Sequence, residues 1–350
     1  MDERWQDELL ERVSRSLPPH VLRYFQAGAR DEVTLAAASA AWRDIRFAPR
    51  VLRDVRSPST ATTLLGCSVS APIGIAPTSL QRLAHPDGEL AMARGAAAAD
   101  ALMVVSSNAG ATFEDIAATG VSWWLQAYLT ADRELIAPTL NRAAAAGARA
   151  VVLTVDTPMP GPKYELADDS AFGDLSLSYG VNHPDVVRGL TPGSDHARDL
   201  GPGDVAWLTE VTGLPVVVKG VLRADDARRC VDAGAAAVWV SNHGGRQLDR
   251  SVATAHALGS VVHAVGTSAE IYVDGGVTQG LDVLAALASG AQAVFCGRLP
   301  LFALCDGGAD GVSGALLALR DELVSAMALA GCPSLADTPG IIAPPAPNRL

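Results

Sequence analysis

Near the middle of the chain, Ser241-Asn242-His243-Gly244-Gly245-Arg246 combines an imidazole, a guanidinium and a glycine pair within six positions. An imidazole exchanges protons near neutral pH. A guanidinium grips a carboxylate or phosphate through two parallel hydrogen bonds. Side by side, they suit proton chemistry on a polar ligand. Other charged residues follow short apolar runs. Lys219 follows three valines, Asp156 closes "AVVLTVD", Asp274 precedes Gly275-Gly276, and Arg298 follows Gly297. Each also has a plainer reading. A lysine there reaches solvent, a histidine in a turn is structural, and an aspartate caps the next segment. If they face one site, Lys219 is a fixed cation beside a ligand, and Asp156 orients an imidazole and stabilises its protonated form.

The elements that must position these residues are eight apolar or β-branched runs. They are "PIGIAP" (72–77), "ALMVVSS" (101–107), "SWWLQAY" (122–128), "AVVLTVD" (150–156), "PVVVKG" (215–220), "AVWVSN" (237–242), "EIYVDGG" (270–276) and "AVFCGR" (293–298). Ala-rich, helix-compatible stretches separate most of them, the pattern of a parallel sheet buried on both faces. "GARAVV", "GAAAVWV" and "GAQAVF" repeat one device, a glycine that ends a helix just before a strand. Eight such units predict an α/β fold, a (β/α)8 barrel, with a doubly wound open sheet as the alternative. One domain is expected over 1–350: a helical lead-in to residue 60, the barrel over 61–332, and a tail over 333–350. Residues 2–16 carry a helical apolar stripe, and Gly28 suits the end of the helix after "LPPH". A Pro-, Gly- and Asp-rich stretch over 157–203 reads as an active-site loop.

In a parallel barrel, catalytic groups sit at the C-terminal ends of the strands. All eight runs end in polar residues or glycine: Pro77-Thr78-Ser79, Ser106, Gln126 and Tyr128, Thr154, Lys219, Ser241, Asp274-Gly275-Gly276, and Gly297-Arg298. Their convergence on one rim suits a large polar ligand and proton chemistry. The glycines on the last two runs suit backbone binding of a phosphate, with Arg298 as a bidentate cation.

Composition excludes several classes. The net charge is −11 over 350 residues, with 49% hydrophobic content. Such a surface attracts neither nucleic acid nor anionic lipid. No apolar run approaches the roughly 18 residues of a membrane span. The charged, amphipathic N-terminus is not a signal peptide, so a cytoplasmic protein is expected. Five scattered cysteines suit a reduced protein. Metal-ligand, P-loop and hydrolase-elbow motifs are absent, and no metal is expected. His183, His196, His256 and His263 read as surface or packing residues.

With "SNHGGRQLD" (241–249), "APTSLQRLAHPDGE" (76–89), "TVDTP" (154–158), "VVKGV" (217–221), "VDGGV" (273–277) and "GR" (297–298) in this order, the chain resembles the FMN-dependent α-hydroxy-acid oxidoreductases. That family includes glycolate oxidase, lactate oxidase and mandelate dehydrogenase. The resemblance spans about residues 20 to 332. It implies a TIM barrel with FMN in its mouth. His243 is then the base that takes a proton from a 2-hydroxy acid, and Asp156 stabilises the imidazolium. Arg246 and Tyr24 hold the substrate carboxylate, and Tyr128 contacts the substrate. Lys219 stands by the flavin's polar edge. Pro77, Thr78, Ser79, Ser106, Gln126, Thr154 and Ser241 hold the flavin ring, and Asp274, Gly275, Gly276, Gly297 and Arg298 the ribityl chain and phosphate. Partners implied are the hydroxy acid, O2 or another electron acceptor, and further copies in a homotetramer or octamer.

Three departures from the family stand out. Gly161-Pro162-Lys163 replaces a G-R-R run, so Lys163 keeps a substrate-side charge without the bidentate fork. Thr278 replaces the arginine after D-G-G-V, removing one phosphate-side cation. Asn108 stands where relatives often carry an aromatic ring against the substrate, which predicts an acid other than glycolate. The 157–203 loop is also shorter than is usual. The expected activity is oxidation of a 2-hydroxy acid to the 2-oxo acid. The alternatives are another FMN barrel chemistry, for example on a 2-amino acid-like group, and a flavin-binding relative without turnover.

Overall fold

The computed structural model describes residues 4–164, 181–183 and 191–344. Eight parallel strands close into a barrel in chain order, the last pairing with the first. They are β3 (Ile73–Ile75), β4 (Met103–Ser106), β5 (Trp123–Ala127), β6 (Val151–Thr154), β7 (Val216–Val221), β8 (Ala237–Val240), β9 (Glu270–Val273) and β10 (Ala293–Cys296). Every one of the eight apolar runs is a barrel strand, which excludes the open sheet. Both faces of these strands are buried, so the runs show no polar alternation. Gly147, Gly234 and Gly290 have φ between +94° and +103°. A β-carbon is strained in that region, so glycine is what lets the chain leave a helix and enter the next strand at once.

A hairpin, β1 (Thr62–Leu64) and β2 (Cys67–Val69), precedes the barrel. Its Leu64, Cys67 and Val69 join Trp124, Trp239, Tyr272 and Phe295 in an apolar cluster inside the strands. The Trp239 and Phe295 rings lie 4.1 Å apart. The barrel is therefore filled at that level, and ligands are confined to its other end.

The lead-in consists of α1 (Trp5–Ser16), α2 (Pro19–Gln26) and α3 (Val33–Arg43). Leu9 and Val13 form the buried stripe of α1. Prolines 18 and 19 begin α2 as expected, and the helix ends at Gln26 with Ala27, at φ −57° and ψ 139°, as its cap, just before Gly28. Gly28 instead donates its N–H to Glu32 Oε1 at 2.7 Å. The remaining helices are α4 (Gly88–Ala98), α5 (Phe113–Ala117), α6 (Ala137–Ala145), α7 (Pro202–Thr212), α8 (Ala224–Asp232), α9 (Thr254–Val265), α10 (Gly280–Ala288) and α11 (Arg298–Ala330), the last broken at Gly307–Gly308. The tail docks as far as it is described: Ile341 is fully buried, and Phe47 pairs with Ile342. Part of the 157–203 loop (165–180 and 184–190) and the last six residues of the tail lie outside the described residues. Among the described residues, no helix is long and apolar enough to cross a membrane.

Candidate active site

A cavity of about 400 Å³ opens at the C-terminal ends of the strands, within the roughly 300–1,000 Å³ typical of ligand and cofactor sites. Its floor is a polar layer laid directly over the apolar barrel interior. Ser106 pairs in register with Gln126, and Thr154 with Lys219. Gln126 Nε2 donates to Thr154 Oγ1 at 3.1 Å, and Ser106 Oγ donates to Gln126 Oε1 at 3.3 Å. Lys219 is buried. Its Nζ donates to Ser241 Oγ at 2.8 Å and lies 3.2 Å from Asp274 Oδ2. Burial alone would lower this ammonium's pKa, but Asp274 and then Asp156 outweigh it and hold the pKa above its ordinary value.

His243 leaves the barrel just past β8 with φ +57°, a left-handed conformation that a residue with a side chain adopts only under constraint. The constraint is visible. Its N–H donates to Ser241 Oγ at 3.1 Å, and its Nδ1 meets Asp156 Oδ1 at 2.9 Å. Gly220, at φ +109°, makes room for that aspartate: a β-carbon there would come within 2.7 Å of Asp156 Cβ and Cγ. Burial pushes the Asp156 pKa up, but the facing His243 and Lys219 bring it below the usual carboxylate range.

Two arginines share one anchor. Arg246 Nη1 donates to the carbonyls of Tyr24 (2.9 Å) and Ala27 (2.8 Å), with its guanidinium 5.1 Å from the Tyr24 ring centre. Arg298 donates to the carbonyls of Phe25, Gly244 and Ala27 at 3.0 to 3.2 Å. Burial and then the adjacent Arg246 lower the Arg298 pKa to about 10. With Lys163 and Lys219, they make the cavity wall cationic in an acidic protein.

Of the expected site residues, Tyr24, Pro77, Thr78, Ser79, Ser106, Gln126, Tyr128, Thr154, Lys163, Lys219, His243, Arg246, Asp274, Gly275, Gly276, Gly297 and Arg298 all line this cavity. Asp156, Ser241 and Asn108 do not line it. Asp156 and Ser241 stand behind the wall, where Asp156 Oδ1 meets His243 Nδ1 and Ser241 Oγ accepts from Lys219 Nζ. Asn108 is not on the wall either: its N–H binds Ser106 Oγ at 3.1 Å, and it gives the cavity neither a ring nor a polar face. Thr278 does line the cavity, but its N–H and hydroxyl both donate to Asp282 Oδ2, at 2.9 and 3.2 Å, in the first turn of α10. Arg298 donates one N–H from each of its three guanidinium nitrogens to these carbonyls, and one N–H on each of Nη1 and Nη2 lies outside those bonds.

Other contributors were not singled out from the sequence. Ala38 and Ser39 of α3 line the cavity beside Gly276, and Ser39 Oγ donates to Gly276 O at 3.2 Å. Gln247 lines it too, and its place in "SNHGGRQLD" was the available signal. His196 stacks on Tyr128, ring centres 4.6 Å apart. It is carried there by a bridge between Thr130 and residue 196. It packs, as expected of it, but against a residue of the site.

The cavity fits FMN. A layer of amide, hydroxyl and ammonium groups suits the polar edge of a flavin ring. Asp274 Oδ1 is buried without a hydrogen-bond partner among the described residues, an acceptor that a polyol hydroxyl would satisfy. Glycines line the far end, where a phosphate can approach the backbone. The comparisons agree. Residues 13–343 match the model of the FMN-dependent dehydrogenase family. Glycolate oxidase 1 of Oryza sativa subsp. indica is 42% identical over 338 residues, covering 93% of this chain and 91% of its own. Glycolate oxidase 1 of Zea mays is 43% identical over 339 residues, with the same coverage. A crystal structure of mandelate oxidase superimposes with a TM-score of 0.85 at 35% identity, over 95% of this chain and 96% of that one. The barrel, the cavity and these likenesses converge: the chain belongs to the FMN-dependent α-hydroxy-acid oxidoreductase family.

Proposed function

We propose that the protein oxidises a 2-hydroxy acid to the 2-oxo acid with His243 as the base. The observation that carries this is the 2.9 Å contact between His243 Nδ1 and Asp156 Oδ1. An ionised carboxylate only accepts, so the Nδ1 nitrogen carries the proton and Nε2 keeps its lone pair. His243 itself lines the cavity beside Arg246, Tyr24 and Tyr128. The reaction removes two electrons and two protons. His243 takes one of the protons, and Asp156 stabilises the imidazolium that results. Arg246 and Lys163 hold the carboxylate, and Tyr24 and Tyr128 orient the acid.

FMN supplies the two-electron acceptor. Thr78, Ser79, Ser106, Gln126, Thr154 and Lys219 would hold its ring, with Ser241 fixing Lys219 in place. Asp274 would hold the ribityl chain, and Gly275, Gly276, Gly297 and Arg298 the phosphate. The acid is one other than glycolate: Asn108 sends no ring into the cavity, which leaves room for a longer side chain.

The test is anaerobic mixing of the flavin-loaded protein with a graded series of 2-hydroxy acids, followed at the flavin absorbance bands. Bleaching that is faster with larger acids than with glycolate supports the reading. Fastest bleaching by glycolate overturns the substrate assignment. No bleaching by any of them overturns turnover. Repeating the series with oxygen shows whether O2 or another acceptor takes the electrons.

A further inference from the structure

A continuous chain of hydrogen bonds runs from the segment bearing Lys163 to the His243–Asp156 pair. Lys163 Nζ donates to Gly161 O at 3.0 Å. The Gly161 N–H donates to Gln247 Oε1 at 2.8 Å, and Gln247 Nε2 donates to Thr157 Oγ1 at 3.0 Å. Thr157 Oγ1 lies 3.3 Å from Asp156 Oδ1 and 3.4 Å from His243 Nδ1.

The direction of this chain follows from one fact: a peptide N–H can only donate. Gly161 therefore fixes the amide oxygen of Gln247 toward itself, and the Gln247 NH2 must face Thr157. With that NH2 donating into Oγ1, the Thr157 proton points the other way, to Asp156 Oδ1. The carboxylate oxygen then accepts from both Thr157 and His243 Nδ1, and the lone pair of His243 is left on Nε2. Packing holds the same arrangement. A β-carbon on Gly161 would stand 2.5 Å from Arg246 O and 2.6 Å from Gln247 O, so the Lys163 segment sits directly on the backbone of the arginine turn.

We propose that Gln247 is a positioning residue that couples the Lys163 segment to the tautomer and orientation of His243. One amide thereby sets both carboxylate capture and proton removal. The inference rests on the reading of His243 as the base.

Four variants of the flavin-loaded enzyme test it. Gln247→Leu cuts both ends of the link, so kcat falls about tenfold and KM rises about tenfold. Gln247→Glu keeps an acceptor for Gly161 but loses the donor to Thr157, and Thr157→Val cuts the same step. Both lower kcat by a similar factor with KM within about twofold of wild type. Thr157→Ser keeps the hydroxyl and stays within about threefold of wild type in both constants. The low-field proton resonance of His243 Nδ1–H, read without turnover, shifts in Gln247→Leu and Thr157→Val and not in Thr157→Ser. Wild-type kinetics in Gln247→Leu, or an unmoved resonance in both disrupting variants, overturns the coupling. Equal losses in all four variants, accompanied by lost flavin, reduce Gln247 to packing and overturn it as well. His243→Gln separates the two claims. If it still reduces flavin at the wild-type rate, the base assignment fails. If it does not, while Gln247→Leu behaves as wild type, only the coupling fails.

Discussion

The two ends of the cavity are held by different means. At the His243 end, side chains bind side chains: His243 to Asp156, Thr157 to Asp156, and Gln247 to Thr157. At the end where we place the phosphate, the wall is mostly main chain. Gly275, Gly276 and Gly297 line it, Thr278 is tied to Asp282, and Arg298 is bound to carbonyls. Precision at the first end depends on residue identity. Precision at the second depends on backbone shape, with a single guanidinium added. Substitutions should therefore separate turnover from cofactor retention.

The sharpest separation is His243→Gln. It should slow flavin reduction by about 10²- to 10⁴-fold, with bound flavin unchanged, as stopped-flow absorbance and flavin stoichiometry will show. Flavin lost in parallel would mean that the two ends are not independent. Next is Lys219→Met, which leaves Asp274 buried without its cation and should cost about 3–5 kcal/mol of stability by denaturant unfolding. The pH dependence follows from the same pair. The Lys219 pKa is raised on folding, so its contribution is complete below its unfolded value of about 10.4 and is lost as the pH rises through the higher folded value. That alkaline loss should be absent in Lys219→Met. The opposite sign holds for Asp156, lowered on folding, whose contribution is lost as the pH falls below about 4.

At the other end, Thr278→Arg adds a cation beside the glycines. It should tighten FMN binding about tenfold through a charge-assisted contact, read by fluorescence on dilution, with kcat unchanged. The smallest effect belongs to Asn108→Ala, which should leave KM within about twofold because its side chain is off the cavity wall. A larger change would return Asn108 to the substrate site.

The same contrast explains what was legible in the sequence. The barrel was readable because a strand buried on both faces writes itself as an unbroken apolar run, and a left-handed glycine marks where most of the barrel helices stop. Strand ends then named most of the cavity wall. Depth could not be read that way. Asp156 and Ser241 also follow strands, yet they stand one layer behind the wall. Asn108 follows Ser106 and Ser107 but is held beside the strand end by its own backbone. Contacts between distant segments left still less trace. His196 reaches Tyr128 across 68 positions of chain, and nothing in the composition around His196 marks that meeting. The turns of α2 showed a proline start but not that its last carbonyls would face two arginines.

Those carbonyls make the lead-in a thermodynamic partner of the ligands. Arg246 and Arg298 both donate to the final turn of α2 and to Ala27, and both face the cavity where a carboxylate and a phosphate would bind. With the anion roles we propose for Arg246 and Arg298, docking of α2 and binding of anions draw on the same two guanidiniums, and linkage makes their influence reciprocal. Anything that loosens the first thirty residues changes anion affinity, and bound anions change the protection of α2 against proteolysis and hydrogen exchange to the same free-energy extent. An isolated 61–332 segment would lack the carbonyls of residues 24–27 on which both of its arginines are anchored.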